Sequence, residues 1–277
     1  MNAETWLERQ YWSDVIAVKP DETIQHRTAA ARQVRERHPE HLDLAFGPHD
    51  RQRVDVFLPP GAGPWSLLIY IHGGYWQKNH KNDQAYLAPA WLAQGVAFAT
   101  LGYRLLPDVS LPDIVSDIAG GMALLRDQAP GLQLDANRMV LSGLSAGAHL
   151  TAMYAASSPG AGLAGAVLLS GVYDLPPLET TSPGQAIAPS LKAPLADISP
   201  LAIAAPVGVP CLIGWGEAET DAFKSQSAAL TAHYANRGVE VAQTTVAGAN
   251  HFTAVEALRG DSGSEIVGFV KAALVPE

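Results

Sequence analysis

Residues 143–147, Gly-Leu-Ser-Ala-Gly, constrain this chain more than any other feature, because they set a serine between two glycines where a strand meets a helix. A strand-like run over residues 138–142 leads in, and a helix-compatible run over residues 146–156 leads out. A serine at the tip of such a turn has a strained backbone, and Cβ atoms at both glycine positions would clash as the helix doubles back over the strand. The pattern therefore predicts a nucleophile elbow with Ser145 as the nucleophile.

A second motif, His-Gly-Gly-Tyr-Trp over residues 72–76, follows a continuous apolar strand-like run. A strand that ends in His-Gly-Gly is one way to expose backbone N–H groups to a substrate oxygen. We expect Gly73 and Gly74 to form an oxyanion hole together with Ala146, because donors placed at a developing negative charge stabilise a tetrahedral intermediate. The alternative is a plain Gly-Gly turn in which His72 is a packing residue.

Strand-like and helix-like segments alternate along the chain, which predicts the α/β class and a mostly parallel central sheet with helices on both faces. The predicted strands cover residues 54–58, as an edge strand, and then 67–71, 96–101, 138–142, 165–170, 210–215 and 239–246. The predicted helices cover residues 111–128, 146–156 and 223–236, with two further stretches that divide near Gly260. We expect residues 1–277 to form a single domain of this class.

Two regions interrupt the alternation. Residues 1–50 form a predicted N-terminal arm with a helix over residues 22–38. The basic side chains of this helix are expected to face solvent: Arg27, Arg32, Arg35 and Arg37. Residues 173–206 are rich in proline and lack a clear period. Because loops of this length are usually functional, we expect a short cap over the site, with an ordinary surface excursion as the alternative.

The composition of the chain argues against several classes of binding partner. The net charge of -9 argues against nucleic acid or an anionic membrane surface as a partner, since both need a positive footprint. Cys211 is the sole cysteine, which excludes an internal disulfide and fits a reducing, cytoplasmic compartment. No signal peptide and no apolar run of membrane-spanning length is visible, so we expect no association with a membrane. The expected partner is a small-molecule substrate. Whether the chain is a monomer or a homodimer is left open.

The base should follow the last strand, because in this fold the chain order is serine, then an acid, then histidine. His251 lies in the loop after the last predicted strand and is the predicted base. A serine hydroxyl needs such a partner, since it is a weak nucleophile until a histidine accepts its proton. His233 is the competitor, but it lies on the polar face of a predicted helix.

The acid should lie in the loop over residues 216–221, which offers three carboxylates, Glu217, Glu219 and Asp221. Glu217 is close behind the end of the strand. Asp221 suits the N-cap of the following helix, a position that short polar side chains favour. Glu219, in the middle of the loop, is therefore the predicted acid, and spacing alone leaves Asp221 as the alternative.

Together these motifs resemble the arylformamidase (kynurenine formamidase) branch of the α/β-hydrolases, over most of the chain from about Arg51 to Phe252. The resemblance is carried by residues 53–59, 72–76, 143–150, 219–227 and 251–252. In that family an acid stands four residues before the Phe of a Phe-x-x-Gln-Ser stretch, which here implies Glu219, although eukaryotic members usually carry Asp. The branch also contains esterases.

The resemblance implies a serine hydrolase that forms an acyl-enzyme on Ser145 and cleaves an aryl formamide of the N-formyl-kynurenine type. No cluster of ligands suggests a metal, and the chemistry requires no cofactor. Tyr75, Trp76 and Phe252 are expected to bind substrate, since aromatic side chains at the active-site edge can form an aryl pocket. The alternatives are a broad-specificity short-chain carboxylesterase and a ligand-binding protein that keeps the fold without turnover.

Overall fold

The computed structural model describes residues 2–18, 21–157 and 162–274, and an eight-stranded sheet runs through these residues. Its strands are β1 (Leu44–Ala45), β2 (Arg53–Phe57), β3 (Trp65–Ile71), β4 (Ala97–Leu101), β5 (Leu134–Leu144), β6 (Leu163–Leu169), β7 (Cys211–Gly216) and β8 (Val241–Val246). Their spatial order is β1-β2-β4-β3-β5-β6-β7-β8. β1 and β2, and β2 and β4, pair antiparallel, whereas all later pairs are parallel. The predicted fold class is confirmed.

The prediction that residues 54–58 form an edge strand is wrong. β1 pairs with β2 through Leu44 and Val54, so the two-residue strand β1 takes the edge position. Four of the five residues of β2 are buried, and the strand does not show the half-exposed alternation of an edge. β1 has only two residues, which is too short for an alternating pattern to identify a strand.

The α-helices of the described residues are α1 (Ala3–Glu8), α2 (Asp14–Ala17), α3 (Asp21–Arg37), α4 (Ala88–Leu92), α5 (Leu111–Gln128), α6 (Ala146–Ser157), α7 (Ser182–Ile187), α8 (Asp221–Ala235) and α9 (Glu265–Leu274). A π-helical turn, Arg9–Ser13, joins α1 to α2. Short 3₁₀ helices cover Lys81–Leu87, Pro176–Leu178, Ala188–Ser190, Leu195–Ile198 and Ala254–Leu258. None of these helices has both the length and the apolar composition that a membrane crossing requires.

Helix α5 illustrates how local sequence sets an element. Ser110 and Asp113 form a reciprocal capping box, in which the Ser110 N–H donates to Asp113 at 2.8 Å and the Asp113 N–H donates to Ser110 Oγ at 3.3 Å. Pro112 lies in the first turn, where its missing N–H leaves no bond unmade. Ile114 and Ile118, one turn apart, are buried against the sheet. The helix begins and ends at the predicted residues.

Alternation along β3 divides the core into two layers. Leu67, Ile69 and Ile71 point into one apolar cluster, which also holds the buried side chains of α5, α6 and α8. Leu68 and Tyr70 point into the other cluster, which holds those of α3, α4 and α9. Helices therefore cover both faces of the sheet, as a mostly parallel sheet requires.

Two of the four basic side chains of α3 do not face solvent. Arg35 binds the buried Asp55 of β2 and also Asp43 at 3.1 Å, and the fully buried Lys81 completes the cluster through Asp55 at 2.5 Å. Arg27 lies at the wall of the main cavity, with its side chain 14% exposed. These ion pairs fix α3 against the sheet, and their partners lie outside α3. The expectation of solvent exposure holds for Arg32 and Arg37.

Candidate active site

The strand–turn–helix around Ser145 places this residue at the tip of a tight turn. β5 ends at Leu144 and α6 begins at Ala146. Ser145 itself has a φ of 57°, a left-handed conformation that non-glycine residues rarely adopt and that concentrates at functional sites. Its N–H donates to the Leu169 carbonyl at 2.8 Å, which ties the turn to the neighbouring strand β6.

Close backbone approach explains the two flanking glycines. A Cβ at Gly143 would lie 2.3 Å from the carbonyl carbon of Gly147. A Cβ at Gly147 would lie 2.1 Å from the Ile71 carbonyl oxygen at the end of β3. Both distances are far inside van der Waals contact, so no other residue fits at either position without displacing backbone.

The His-Gly-Gly loop follows β3 and lies beside Ser145. A Cβ at Gly73 would lie 3.1 Å from the Ser145 Cβ, and Gly74 has a φ of 118° that favours glycine. The His72 ring is buried and stacks on Tyr103 with ring centroids 4.3 Å apart. Burial lowers the pKa of His72 to about 3, so its imidazole is neutral. The role of Gly73, Gly74 and Ala146 as oxyanion donors stays a prediction.

His251 and Glu219 are in direct contact. His251 Nδ1 and Glu219 Oε2 are 2.8 Å apart, and both residues are buried. The other carboxylate oxygen accepts hydrogen bonds from the Ser170 hydroxyl and from the Gly216 N–H at 2.7 Å. Burial alone would raise the pKa of Glu219, but the charge of His251 and these hydrogen bonds outweigh it and hold the pKa below its usual value. An ionised carboxylate here would orient the imidazole and keep Nδ1 protonated.

The competing carboxylates lie elsewhere. Asp221 is exposed and is the first residue of α8, whose N-cap is Thr220 rather than the expected Asp221. Glu217 is also exposed, and its carboxylate accepts the Gly248 N–H at 2.8 Å. Geometry therefore favours Glu219 as the acid.

Ser145 and His251 line one cavity of about 380 Å³, together with Gly73 and Gly74. Tyr75 and Phe252, two of the three predicted substrate-binding residues, also line it. Ser182, Pro183 and Ala186 reach the cavity from α7, inside the segment 173–206. The volume lies in the range of small-molecule sites.

Trp76 is not in a position to bind substrate, contrary to the prediction. Its side chain is fully buried and lies outside the cavity wall, with its ring 5.0 Å from that of His149. Tyr75 and Trp76 both have left-handed backbones, with φ of 49° and 59°, and their rings meet edge-on at 6.4 Å. Tyr75 contacts the cavity and Trp76 packs in the core.

The N-terminal segment supplies a cavity wall that the sequence analysis missed. Trp12, Val15 and Ile16 line the cavity, and so do Arg27 and Thr28 of α3. We call residues 2–18 and helix α7 together the cover of the site. Trp6, Tyr11 and Trp12 lie within seven positions of each other, and this aromatic density in an otherwise polar stretch was the available signal.

Side-chain hydrogen bonds join the two parts of the cover to each other, and they join its N-terminal segment to two loops that are remote in sequence. Ser182 donates its N–H to the Glu8 carboxylate at 2.6 Å, and Thr220 donates its hydroxyl to the Gln10 carbonyl at 2.7 Å. Asn250 Nδ2, in the His251 loop, donates to the Val18 carbonyl at 3.3 Å. The N-terminal segment thus contacts α7 within the cover, and it also contacts the acid loop and the histidine loop.

Comparison with known proteins agrees with this architecture. Residues 54–168 match the BD-FAE family model. Kynurenine formamidase from Danio rerio is 28% identical over 266 residues, which is 91% of this chain and 87% of that protein. The crystal structure of a candidate thioesterase from Silicibacter sp. superposes with a TM-score of 0.81 at 26% identity, covering 96% of this chain and 99% of that one.

A thermophilic carboxylesterase cloned from a metagenomic library shares the fold, with a TM-score of 0.69 at 21% identity over 94% of this chain and 99% of that one. The chain therefore has the α/β-hydrolase fold, and it is similar to a kynurenine formamidase over most of its length. It is a hydrolytic enzyme, as predicted.

Proposed function

We propose that this protein hydrolyses an aryl formamide of the N-formyl-kynurenine type through a formyl-enzyme on Ser145. The observation that carries the proposal is the 2.8 Å contact between His251 and Glu219 beside a cavity that Ser145 also lines. The likeness to kynurenine formamidase along nearly the whole chain supports the substrate class.

The same catalytic groups act in the formation of the formyl-enzyme and in its hydrolysis. Ser145 Oγ attacks the formyl carbon while His251 accepts the hydroxyl proton, and Glu219 stabilises the imidazolium that forms. The N–H groups of Gly73, Gly74 and Ala146 stabilise the oxyanion. His251 then gives its proton to the departing arylamine. Water, deprotonated by His251, attacks the formyl-enzyme, releases formate and returns the proton to Ser145.

A formyl group needs little space on the acyl side, so most of the cavity is left for the leaving group. Apolar side chains of the cover, Val15 and Ile16, line this cavity together with Tyr75 and Phe252 and suit an aromatic ring. In this proposal the segment 173–206 acts as a short cap on a single-domain enzyme, because α7 contributes to the cavity wall.

A short-chain carboxylesterase is the second candidate, since the same apolar wall accepts an uncharged ester and ester cleavage does not require protonation of a poor amine leaving group. We further propose a cytoplasmic location, which rests on the single buried thiol of Cys211. A homodimer stays a prediction, and light scattering of the purified protein would test it.

The deciding experiment measures kcat/KM for N-formyl-kynurenine and for 4-nitrophenyl acetate side by side. A value of about 10⁴ M⁻¹s⁻¹ or more on the formamide, within the usual range for a true substrate, is the expected result. Good turnover of the ester with almost none of the formamide would replace the formamidase proposal with the carboxylesterase.

A further inference from the structure

One wall of the cavity carries charged side chains that have no role in the proposed hydrolysis. Residues 77–80 join the His-Gly-Gly loop to the 3₁₀ helix Lys81–Leu87. Lys78 of this linker and Asp83 of the helix line the same cavity as Ser145. Neither side chain belongs to the predicted triad or oxyanion hole. Charges that are partly removed from water need partners, and a ligand can supply them.

Asp83 is half-buried, and its carboxylate has no hydrogen bond or salt bridge to any other described residue. The guanidinium groups of Arg35 and Arg51 act on its charge from a distance, but both are engaged elsewhere. Arg35 binds Asp55 and Asp43, and Arg51 donates to backbone carbonyls. Burial raises the pKa of Asp83, which is what a carboxylate without a direct partner should show.

Lys78 is the complementary cation. Its Nζ lies 5.6 Å from the centroid of the Trp12 ring in the cover, and no carboxylate of the described residues lies within 4.0 Å of it. Arg27 also lines the cavity, but its guanidinium is already committed to Glu256 at 2.6 Å and to the Phe252 carbonyl at 2.8 Å. In the described part of the chain, Arg27 and Lys78 are the two arginine and lysine side chains that line this cavity, and Lys78 is the one that can bind an anionic group.

We infer that Asp83 and Lys78 bind the ammonium and the carboxylate of an α-amino acid head on the leaving group of the substrate. A ligand with one charge would pair with only one of the two side chains, whereas a zwitterion pairs with both. The apolar wall formed by Val15, Ile16 and Phe252 then holds the aromatic ring between the head and Ser145. The inference rests on the proposed function, because it assigns the leaving-group side of that reaction.

Competitive inhibition of 4-nitrophenyl acetate hydrolysis tests this inference without requiring formamide cleavage. The two inhibitors are kynurenine and 2′-aminoacetophenone, which keeps the aniline and the ketone but lacks the amino acid head. For the wild-type protein we expect Ki to be lower for kynurenine by about tenfold or more, the size of effect that close charge pairs give.

Asp83→Asn should bring the ratio of the two Ki values close to one, since it removes the charge and keeps the shape. Lys78→Met should reduce the ratio less, because Lys78 is more exposed and solvent screens it. Asp127→Asn on α5 and Lys271→Met on α9 are the matched controls, because both side chains are exposed and lie outside the cavity. Both controls should keep the wild-type ratio.

Equal inhibition of the wild-type protein by the two compounds, or an unchanged ratio in Asp83→Asn, would overturn the inference and leave the proposed function standing. Failure to cleave N-formyl-kynurenine would instead overturn the proposed function, while the Ki ratios would still decide the inference. If ester turnover is too slow for Ki values, calorimetric Kd values of the same two compounds on the same variants give the same ratio.

Discussion

The floor of the active site and its cover are built in opposite ways. The floor, residues 72–74 and 143–147, is fixed by backbone atoms so close that a Cβ at Gly147 would lie 2.1 Å from the Ile71 carbonyl oxygen. The cover, residues 2–18 and α7, is attached by side-chain hydrogen bonds such as that from the Thr220 hydroxyl to the Gln10 carbonyl. A change in the floor should therefore abolish function, whereas a change in the cover should adjust it.

Ser145→Ala tests the floor with the largest expected effect. Removal of the nucleophile should lower kcat for 4-nitrophenyl acetate by about 10⁵-fold or more, as in other serine hydrolases. Ser116→Ala on α5, which removes an exposed hydroxyl, is the control and should keep full activity. Full hydrolysis by the Ser145 variant would show that the catalytic assignment is wrong.

Glu219→Gln should rank second, with a loss of kcat of about 10³- to 10⁴-fold, because an amide cannot stabilise the imidazolium or hold the correct tautomer of His251. The isosteric change Asp221→Asn is the matched control and should alter kcat less than twofold, since Asp221 is exposed. A larger loss in the Asp221 variant would transfer the acid role to that residue.

Gly147→Ala measures the packing of the floor separately from its chemistry. Its Cβ cannot fit without movement of β3, so the free energy of unfolding should fall by about 3 kcal/mol or more. Gly268→Ala in α9 meets no atom within 4 Å and should stabilise by about 0.5 kcal/mol. Urea unfolding of both variants makes the comparison. Equal stabilities would contradict the proposed close approach.

The same contrast explains what the sequence could predict. Strands β3, β5 and β7 and helix α5 were recognisable because each has a continuous apolar run or a capping signal of its own. Positions 73, 74 and 145 lie in short motifs whose backbone geometry is local. The wall formed by Trp12 and Val15 was missed because its segment is held by partners 64 to 232 positions away, such as Tyr75, Ser182 and Asn250. Trp76 was misplaced because its burial depends on packing against His149 of α6, which is remote in the sequence.

His149 joins the floor to the segment 173–206, because its Nε2 lies 2.8 Å from the Ile198 carbonyl. Burial lowers the pKa of His149 to about 4, below its usual 6.5, so the unfolded chain takes up the proton first as the pH falls. Stability from this group is therefore present above about pH 6.5 and is lost towards pH 4.

His149→Gln should consequently lose less stability than the wild-type protein between pH 7.5 and pH 5, by on the order of 1–2 kcal/mol. Free energies of unfolding in urea at the two pH values measure the difference. The exposed His26 provides the control variant His26→Gln, which should follow the wild-type protein. If the His149 variant and the wild-type protein showed identical pH dependence, the loss of stability at low pH could not be assigned to His149.

Trp12→Ala should have the smallest effect on catalysis among these variants, and it tests the role of the cover directly. Trp12 packs edge-on against Tyr75 at 5.7 Å and forms part of the cavity wall, so it should bind the ground state and the transition state of an aryl substrate about equally. KM should rise by about three- to tenfold while kcat changes little. Trp6→Ala removes an exposed tryptophan of the same segment that lies outside the cavity, and it should leave KM unaltered. If kcat instead fell as far as KM rose, the cover would position the reacting atoms, and its separation from the floor would no longer hold.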